Sequence, residues 1–360
     1  MSKKTVMEKK NSVYPKIIEA WSGPGKKDGN ITKYESKFDA LHINMKQRGN
    51  TEWWYFDARL DNGYVVVGFF RAKHERTGKT GVEIVIYTPN NEKIQKIYDY
   101  NRSDFIISGE KADIRIGKNY IKVDDSNENF PIYEVFLDEK EYGFHLRYTA
   151  QVGGWMPGRG YTEFGKLGQF GWVVPLPRAK VEGTIKVDNK TISVKGIGYH
   201  DHNWINFNLV RVVKYWYWGR LYSDNFTLIY ALIQCNKKMK DYAIKVLMLA
   251  KGEKIILSTG EYDLLQENFK FDDKAENNYP QILNFKIPEG HEITLSVQNI
   301  IDSGNLLFEL SPLLRFIAKN LLKLKPSYFR FNSKFNVNIN YEGNNYKEQG
   351  TTLHEMVKVK

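Results

Sequence analysis

Cysteine is all but missing from this chain of 360 residues, where Cys235 stands alone. A single thiol excludes an intramolecular disulfide and any cysteine-based zinc cluster, and it suits a reducing compartment. No apolar run reaches the roughly 18 residues that a membrane-spanning helix needs. The opening Met-Ser-Lys-Lys-Thr-Val-Met-Glu-Lys-Lys lacks the apolar core of a signal peptide, so the expected location is cytoplasmic. There is no Gly-x-Ser-x-Gly elbow, which argues against a serine hydrolase, and no phosphate loop or dinucleotide fingerprint. Dense basic runs are missing too. The formal charge of +11 is spread along the chain, which argues against a nucleic-acid partner and fits solubility or attraction to an anionic surface.

Aromatic residues, by contrast, make up 14% of the chain, a richness that suits β-structure and apolar pockets. Strand and turn signals alternate from about His42 onward. Glu52 to Leu60 is dense in strand formers and runs through Asp61-Asn62-Gly63 into Tyr64 to Phe70, the pattern of a hairpin. Val181 to Val187 and Thr191 to Val194 flank Asp188-Asn189-Lys190 in the same way. Lys214 to Tyr222 and Phe226 to Ile233, joined by Ser223-Asp224-Asn225, repeat the aromatic strand, turn and apolar strand of Glu52 to Phe70. This rhythm predicts two consecutive antiparallel β-barrel domains, 36–208 and 209–360, after an irregular lead-in over 1–35. The boundary is expected near residues 205–212. Gly153 to Pro177, rich in Gly, Pro and aromatics, reads as a long functional loop over a pocket or as an ordered surface loop. One amphipathic helix is expected from Ser311, as cap, to Lys325, packed on a barrel or lying on a membrane surface.

Gly196 to Trp204, Gly-Ile-Gly-Tyr-His-Asp-His-Asn-Trp, concentrates the chemistry. On an extended strand alternate side chains share a face, so His200, His202 and Trp204 point one way and Tyr199, Asp201 and Asn203 the other. One face can present a proton-transfer group beside an aromatic wall, while the other supplies hydrogen bonds that orient it.

Glu52-Trp53-Trp54-Tyr55 and Tyr199 to Trp204, in that order, resemble the signature of the carotenoid 1,2-hydratase (hydroxyneurosporene synthase) and AttH-like lipocalin family. Val174-Pro175-Leu176-Pro177 before a hairpin and the Gly350…His354-Glu355 ending resemble it as well. The resemblance covers residues 40 to 360. It implies two consecutive lipocalin-like barrels with a ligand cavity at or near their junction and no cofactor. The family includes hydratases of isoprenoid double bonds and fungal Diels–Alder cyclases, so the fold leaves the reaction open. His202 and Trp204 match the His and Trp of the hydratase site, and Tyr230 matches its Tyr by spacing. Leu232 stands where the hydratases carry the Asp that donates the proton, and Ile205 where a Gly is expected.

Protonating an isolated alkene needs an acid held in an apolar site, since burial raises a carboxyl pKa. The candidate acids are Asp201, Glu52, Asp224 and Glu163, with Asp201 placed to orient rather than to donate. His202, Trp204, Asp201 and Tyr230 are the expected catalytic group. Glu52, Trp54, Tyr55, His200, Trp218 and Tyr222 are expected to contact the substrate, with Trp53 and Trp216 as further wall candidates. A metal held by His200 and His202 would need a third ligand such as His145 or Glu163, so no metal is expected. The reading is a cofactor-free enzyme that protonates, hydrates or cyclises a double bond in a hydrophobic, isoprenoid or polyene ligand. The alternative is a non-catalytic carrier of such a ligand. Peripheral membrane association is expected through the Ser311–Lys325 helix, and the oligomeric state stays open.

Overall fold

The computed structural model describes residues 16–21, 23–28, 34–47, 49–74, 78–90, 92–306 and 325–359. The expected helix from Ser311 lies outside these residues except for Lys325. The described residues form strands joined by tight turns and short 3₁₀ segments, with no α-helix among them. Their hairpins use the residues that left-handed turns require. Asp188 and Asn189 both adopt positive φ between paired Val187 and Lys190, as a two-residue hairpin demands, and Gly63 sits at φ +89° after Asp61-Asn62.

Two antiparallel sheets result, one of 13 strands and one of nine. Between them they make a nearly closed barrel and a half-barrel. The first is built from residues up to Ile205 and the second from Val213 onward. Both are wound alike. In the first, Thr51–Leu60 runs through successive hairpins to an edge at Lys93–Tyr100, and its other side pairs with Lys190–Ile205. In the second, Val213–Tyr222 leads to an edge at Lys254–Thr259 and pairs on its other side with Asn344–Lys358. The two similar stretches of sequence, Glu52 to Phe70 and Tyr215 to Ile233, therefore form the corresponding hairpins of the two sheets.

Thr51–Leu60 shows why aromatic and apolar residues run consecutively from Trp53 to Phe56. Trp54, Phe56, Ala58 and Leu60 fill the interior of the first sheet with Val66, Phe70 and Leu146. Tyr55, on the opposite face, packs with Val67, Val85 and Tyr87 against Ile229, Val246, Met248 and Ala250 of the second sheet. A strand buried on both faces cannot alternate polar and apolar residues. The second sheet encloses its own core around Leu228, Tyr230, Phe285, Phe329 and Phe331.

The stretch from Gly153 to Pro177 differs from the expected loop. Residues Tyr161–Phe164 and Gln169–Val187 are strands. Pro175 and Pro177 lack the N–H that a sheet ladder needs, and the register against Lys190–Ile205 slips between Val173 and Leu176 and again before Ala179. Only the part near Trp155 keeps a loop character. That ring is fully buried, and its Nε1–H reaches Ser258 Oγ of the second sheet at 2.9 Å.

Candidate functional site

Lys190–Ile205 lies between Thr51–Leu60 and Gln169–Val187, so both of its edges are hydrogen-bonded. The alternation expected from its sequence is present: His200, His202 and Trp204 turn toward the first sheet's interior side. His202 stacks on Trp54 at 4.3 Å and His200 on Phe56 at 3.8 Å, each ring lying over its cross-strand partner. Trp204 stacks on His42 at 3.6 Å with the rings 3° apart. Gly171, opposite Trp204, makes this possible, because a Cβ there would sit 1.9 Å from the indole.

What this face meets is not an apolar cavity. His202 Nε2 lies 2.8 Å from Glu52 Oε1, and its Nδ1 makes a 3.1 Å ion-pair contact with Asp39 Oδ1. His200 Nε2 lies 3.0 Å from Asp39 Oδ2, which also accepts a hydrogen bond from Tyr133 Oη at 2.8 Å. Glu52 accepts the main-chain N–H groups of His42 (2.8 Å) and Ile43 (2.9 Å), and Trp54 Nε1–H donates to the Asp39 carbonyl at 2.9 Å. Asp39, Glu52, His200 and His202 are completely buried. Burial alone would lower the His202 pKa, but the hydrogen bonds and charges of Asp39 and Glu52 outweigh it and lift the group to about 9. Burial likewise opposes ionisation of Asp39, yet His200 and His202 hold it at about 2, and Glu52 is held below the usual carboxylate range. At neutral pH an imidazolium thus sits between two carboxylates, its Nε2 hydrogen-bonded to Glu52 and its Nδ1 in ion-pair contact with Asp39 without a well-aligned hydrogen bond. Asp39, His42 and Tyr133 are members of this network that the sequence reading missed. No periodicity marks the 3₁₀ turn Ser36–Asp39 or the irregular residues after it.

The opposite face carries Asp201. Tyr199, Asp201 and Asn203 look toward the layer between the sheets. Asp201 Oδ2 accepts from Trp172 Nε1 (3.0 Å) and Tyr199 Oη (2.9 Å), and Oδ1 accepts from Asn203 Nδ2 (2.9 Å). Burial pushes its pKa up to about 6 in spite of these hydrogen bonds. Tyr199, Tyr55 and Trp218 pack edge-to-face around the junction, with ring centroids 5.4 to 6.2 Å apart. Beside them, buried Arg220 donates from Nη2 to Asp57 Oδ1 at 2.5 Å, and Tyr55 Oη donates to Asp57 Oδ2 at 2.7 Å. Tyr222 Oη donates to the Pro177 carbonyl at 2.8 Å. Trp218, Arg220 and Tyr222 come from the second sheet and meet Tyr55, Asp57 and Tyr199 of the first, so both sheets build this junction.

The other candidates are dispersed. Tyr230 packs on Phe285 at 4.6 Å inside the second sheet's core, and Leu232 belongs to the same core. On that strand it is Ile229 that faces the junction. His145 pairs with Glu134, and Glu163 with Arg159, away from His202. Asp224 is an exposed turn residue. Trp53 is half-buried beside the junction, and Trp216 packs near Val213 and Ile233. A different group from the one the metal reading needed, His42, Glu52 and His202 without His200, has ligand atoms within 4.8 Å of one another and could hold a divalent cation. Glu52, however, already accepts from two main-chain N–H groups and from His202. Two surface depressions, of about 320 and 510 Å³, are lined chiefly by Lys79, Asp99, Tyr100 and Arg102 and by Lys26, Lys245, Tyr262 and Pro288; neither includes a residue of the two clusters. No helix among the described residues is long and apolar enough to cross a membrane.

Comparison with known proteins follows the same lines. The AttH-like family model matches residues 41–311. A hydroxyneurosporene dehydrogenase from Chlorobaculum tepidum is 22% identical over 229 residues, covering 51% of this chain and 57% of that protein. The ceramide-binding protein SVF1 of Candida albicans is 20% identical over 190 residues, half of each chain. The chain thus spans about half the length of the curated relatives it matches. Among solved structures, a putative AttH from Nitrosomonas europaea superposes with a TM-score of 0.61 at 13% identity, over 91% of this chain and 97% of the other. CghA bound to Sch210972 gives 0.62 at 10% identity (92% and 97%), and kievitone hydratase from Nectria haematococca 0.56 at 15% (93% and 98%). At these identities the structures speak for the fold. The sequence match over three-quarters of its length places the chain in the AttH-like family.

Proposed function

We propose that this protein is a cofactor-free enzyme acting on a carbon–carbon double bond of a hydrophobic, isoprenoid or polyene substrate, with Asp201 as the proton donor. The observation that carries this reading is the position of the Asp201 carboxyl. It is buried between two sheets, hydrogen-bonded by three side chains and surrounded by Trp172, Tyr199 and Trp218. A carboxyl whose pKa burial lifts to about 6 keeps a proton further toward neutrality than a surface aspartate does. Aromatic faces favour the positive charge that protonation of an alkene creates. The AttH-like family and fold neighbours such as a kievitone hydratase support a hydrophobic substrate and hydration or cyclisation as the reaction class. His202 then serves as a positioning residue: its ion pairs fix the strand from which Asp201 projects.

Material extracted from freshly purified protein, identified by native mass spectrometry, provides the test substrate. Incubated with wild-type protein, it is expected to gain the mass of water or to convert to an isomer. Asp201→Asn keeps the size and the donors around the carboxyl and should lower this rate by about 10²–10⁴-fold while binding persists. A full rate in Asp201→Asn would remove the assignment. The carrier reading has its own support in the engaged nitrogens of His202 and in the ceramide-binding relative. It predicts that the ligand is recovered unchanged from both proteins. Peripheral attachment to anionic membranes belongs to the same proposal, on the basic and apolar sequence Ser311 to Lys325. Flotation with anionic liposomes at low salt should carry the wild type, and Lys319→Glu with Lys323→Glu should release it.

A further inference from the structure

Two shielded donor atoms in the junction make no hydrogen bond of good geometry, although the Tyr199 and Tyr222 hydroxyls lie near their side chains. Arg220, 5% exposed, gives Nη2 to Asp57, while its Nη1 has no hydrogen-bond partner. Trp218 Nε1 is shielded from solvent and equally unpartnered. The two residues are neighbours on one face of Val213–Tyr222. The guanidinium lies 5.0 Å from the centre of the Tyr199 ring, 5.5 Å from Trp218 and 5.7 Å from Tyr222. The Tyr199 hydroxyl in turn donates to Asp201. One N–H group of an ion-paired guanidinium and an indole N–H are therefore held without an acceptor among aromatic walls, near the carboxyl assigned above as the acid.

Buried donors are nearly always satisfied, and an exception calls for a missing acceptor. A pure hydrocarbon ligand would leave both groups orphaned. An apolar ligand bearing one oxygen would satisfy them on binding, and small-molecule sites commonly combine apolar walls with a few such converging polar groups. We propose that the ligand of the junction is oxygenated: a hydrophobic chain carrying a carbonyl oxygen that accepts from Arg220 Nη1 and Trp218 Nε1. This rests on the junction being the ligand site and narrows the substrate class from unsubstituted polyenes to those with a carbonyl group.

The test compares two ligands of one shape, geranylacetone and the same skeleton with C=CH₂ in place of C=O, by calorimetry with the full-length protein and without turnover. The ketone is expected to bind about tenfold or more tightly, the range for a charge-assisted hydrogen bond. Trp218→Phe keeps the aromatic wall and removes one donor, and should cut that preference by roughly two- to tenfold. Arg220→Lys, checked for folding by circular dichroism, should cut it further. Equal binding of the two ligands, or a preference unchanged in Trp218→Phe, overturns the inference. Because the readout is a ratio of affinities, it is independent of the Asp201→Asn rate test: a strong ketone preference in a protein without turnover would leave this inference standing and remove the enzyme assignment.

Discussion

At the scale of single residues, three buried acid–base groups, His202, Asp39 and Asp201, respond to pH in different windows. His202 has its pKa raised to about 9, so its contribution to stability is complete below the ordinary histidine value of 6.5 and is lost as the pH rises through about 9. Asp39 has its pKa lowered to about 2, so its contribution is present above 3.8 and is lost as the pH falls toward 2. Asp201 behaves in the opposite sense to Asp39. Its folded pKa is raised, so ionising it in place costs stability between about pH 4 and 6. Urea unfolding from pH 6 to 10 should show wild-type stability declining from about pH 6.5 and levelling off above about 9, and His202→Gln should flatten that decline while lowering stability near pH 7 by about 3–5 kcal/mol, as broken buried ion pairs do. A wild-type curve level through pH 10 would contradict the imidazolium assignment. Chelation tests the neighbouring donors. Since Glu52 is committed to N–H groups, overnight dialysis against EDTA is expected to leave the melting temperature and activity unchanged, and a fall in either would show that His42, Glu52 and His202 hold a cation.

At the scale of elements, the strand Lys190–Ile205 shows what sequence can and cannot disclose. Period-two alternation from Tyr199 to Trp204 was readable because it depends only on the local backbone. What each face met was not, because Asp39 and His42 arrive from a segment without periodicity, and Trp172 from a stretch whose glycines and prolines read as a loop. Tyr230 illustrates the same limit. Phe226–Cys235 is apolar on both faces, so counting residues could not tell the side of Ile229, which meets the other sheet, from the side of Tyr230, which fills a core. Gly171 carries a signal that was visible yet unassigned: a glycine between Phe170 and Trp172 on a strand marks close approach. Gly171→Ala should displace the Trp204 indole from His42 and cost about 1–3 kcal/mol, the range for overpacking. Near-UV circular dichroism should change with it, and an unaltered spectrum with unaltered stability would mean that the stack is not held as described.

At the scale of the molecule, the mainly β class and the likeness of the two halves were legible in the rhyme of Glu52 to Phe70 with Tyr215 to Ile233, since each opens a sheet with an aromatic strand and a tight turn. The layer between the sheets was not, because its members are drawn from strands far apart in sequence and from both halves. The winding shared by the two sheets has a consequence for how the chain is made. Each sheet joins its opening strand to its closing one, Thr51–Leu60 to Lys190–Ile205 and Val213–Tyr222 to Asn344–Lys358. Such distant partners give a high contact order and slow folding. During synthesis the first half has all its strands once Ile205 has left the ribosome, whereas the second waits for the closing strand to emerge. Until then the Trp218 and Arg220 side of the junction hangs on an unclosed sheet, so a nascent chain would assemble its histidine network well before the junction between the sheets is complete.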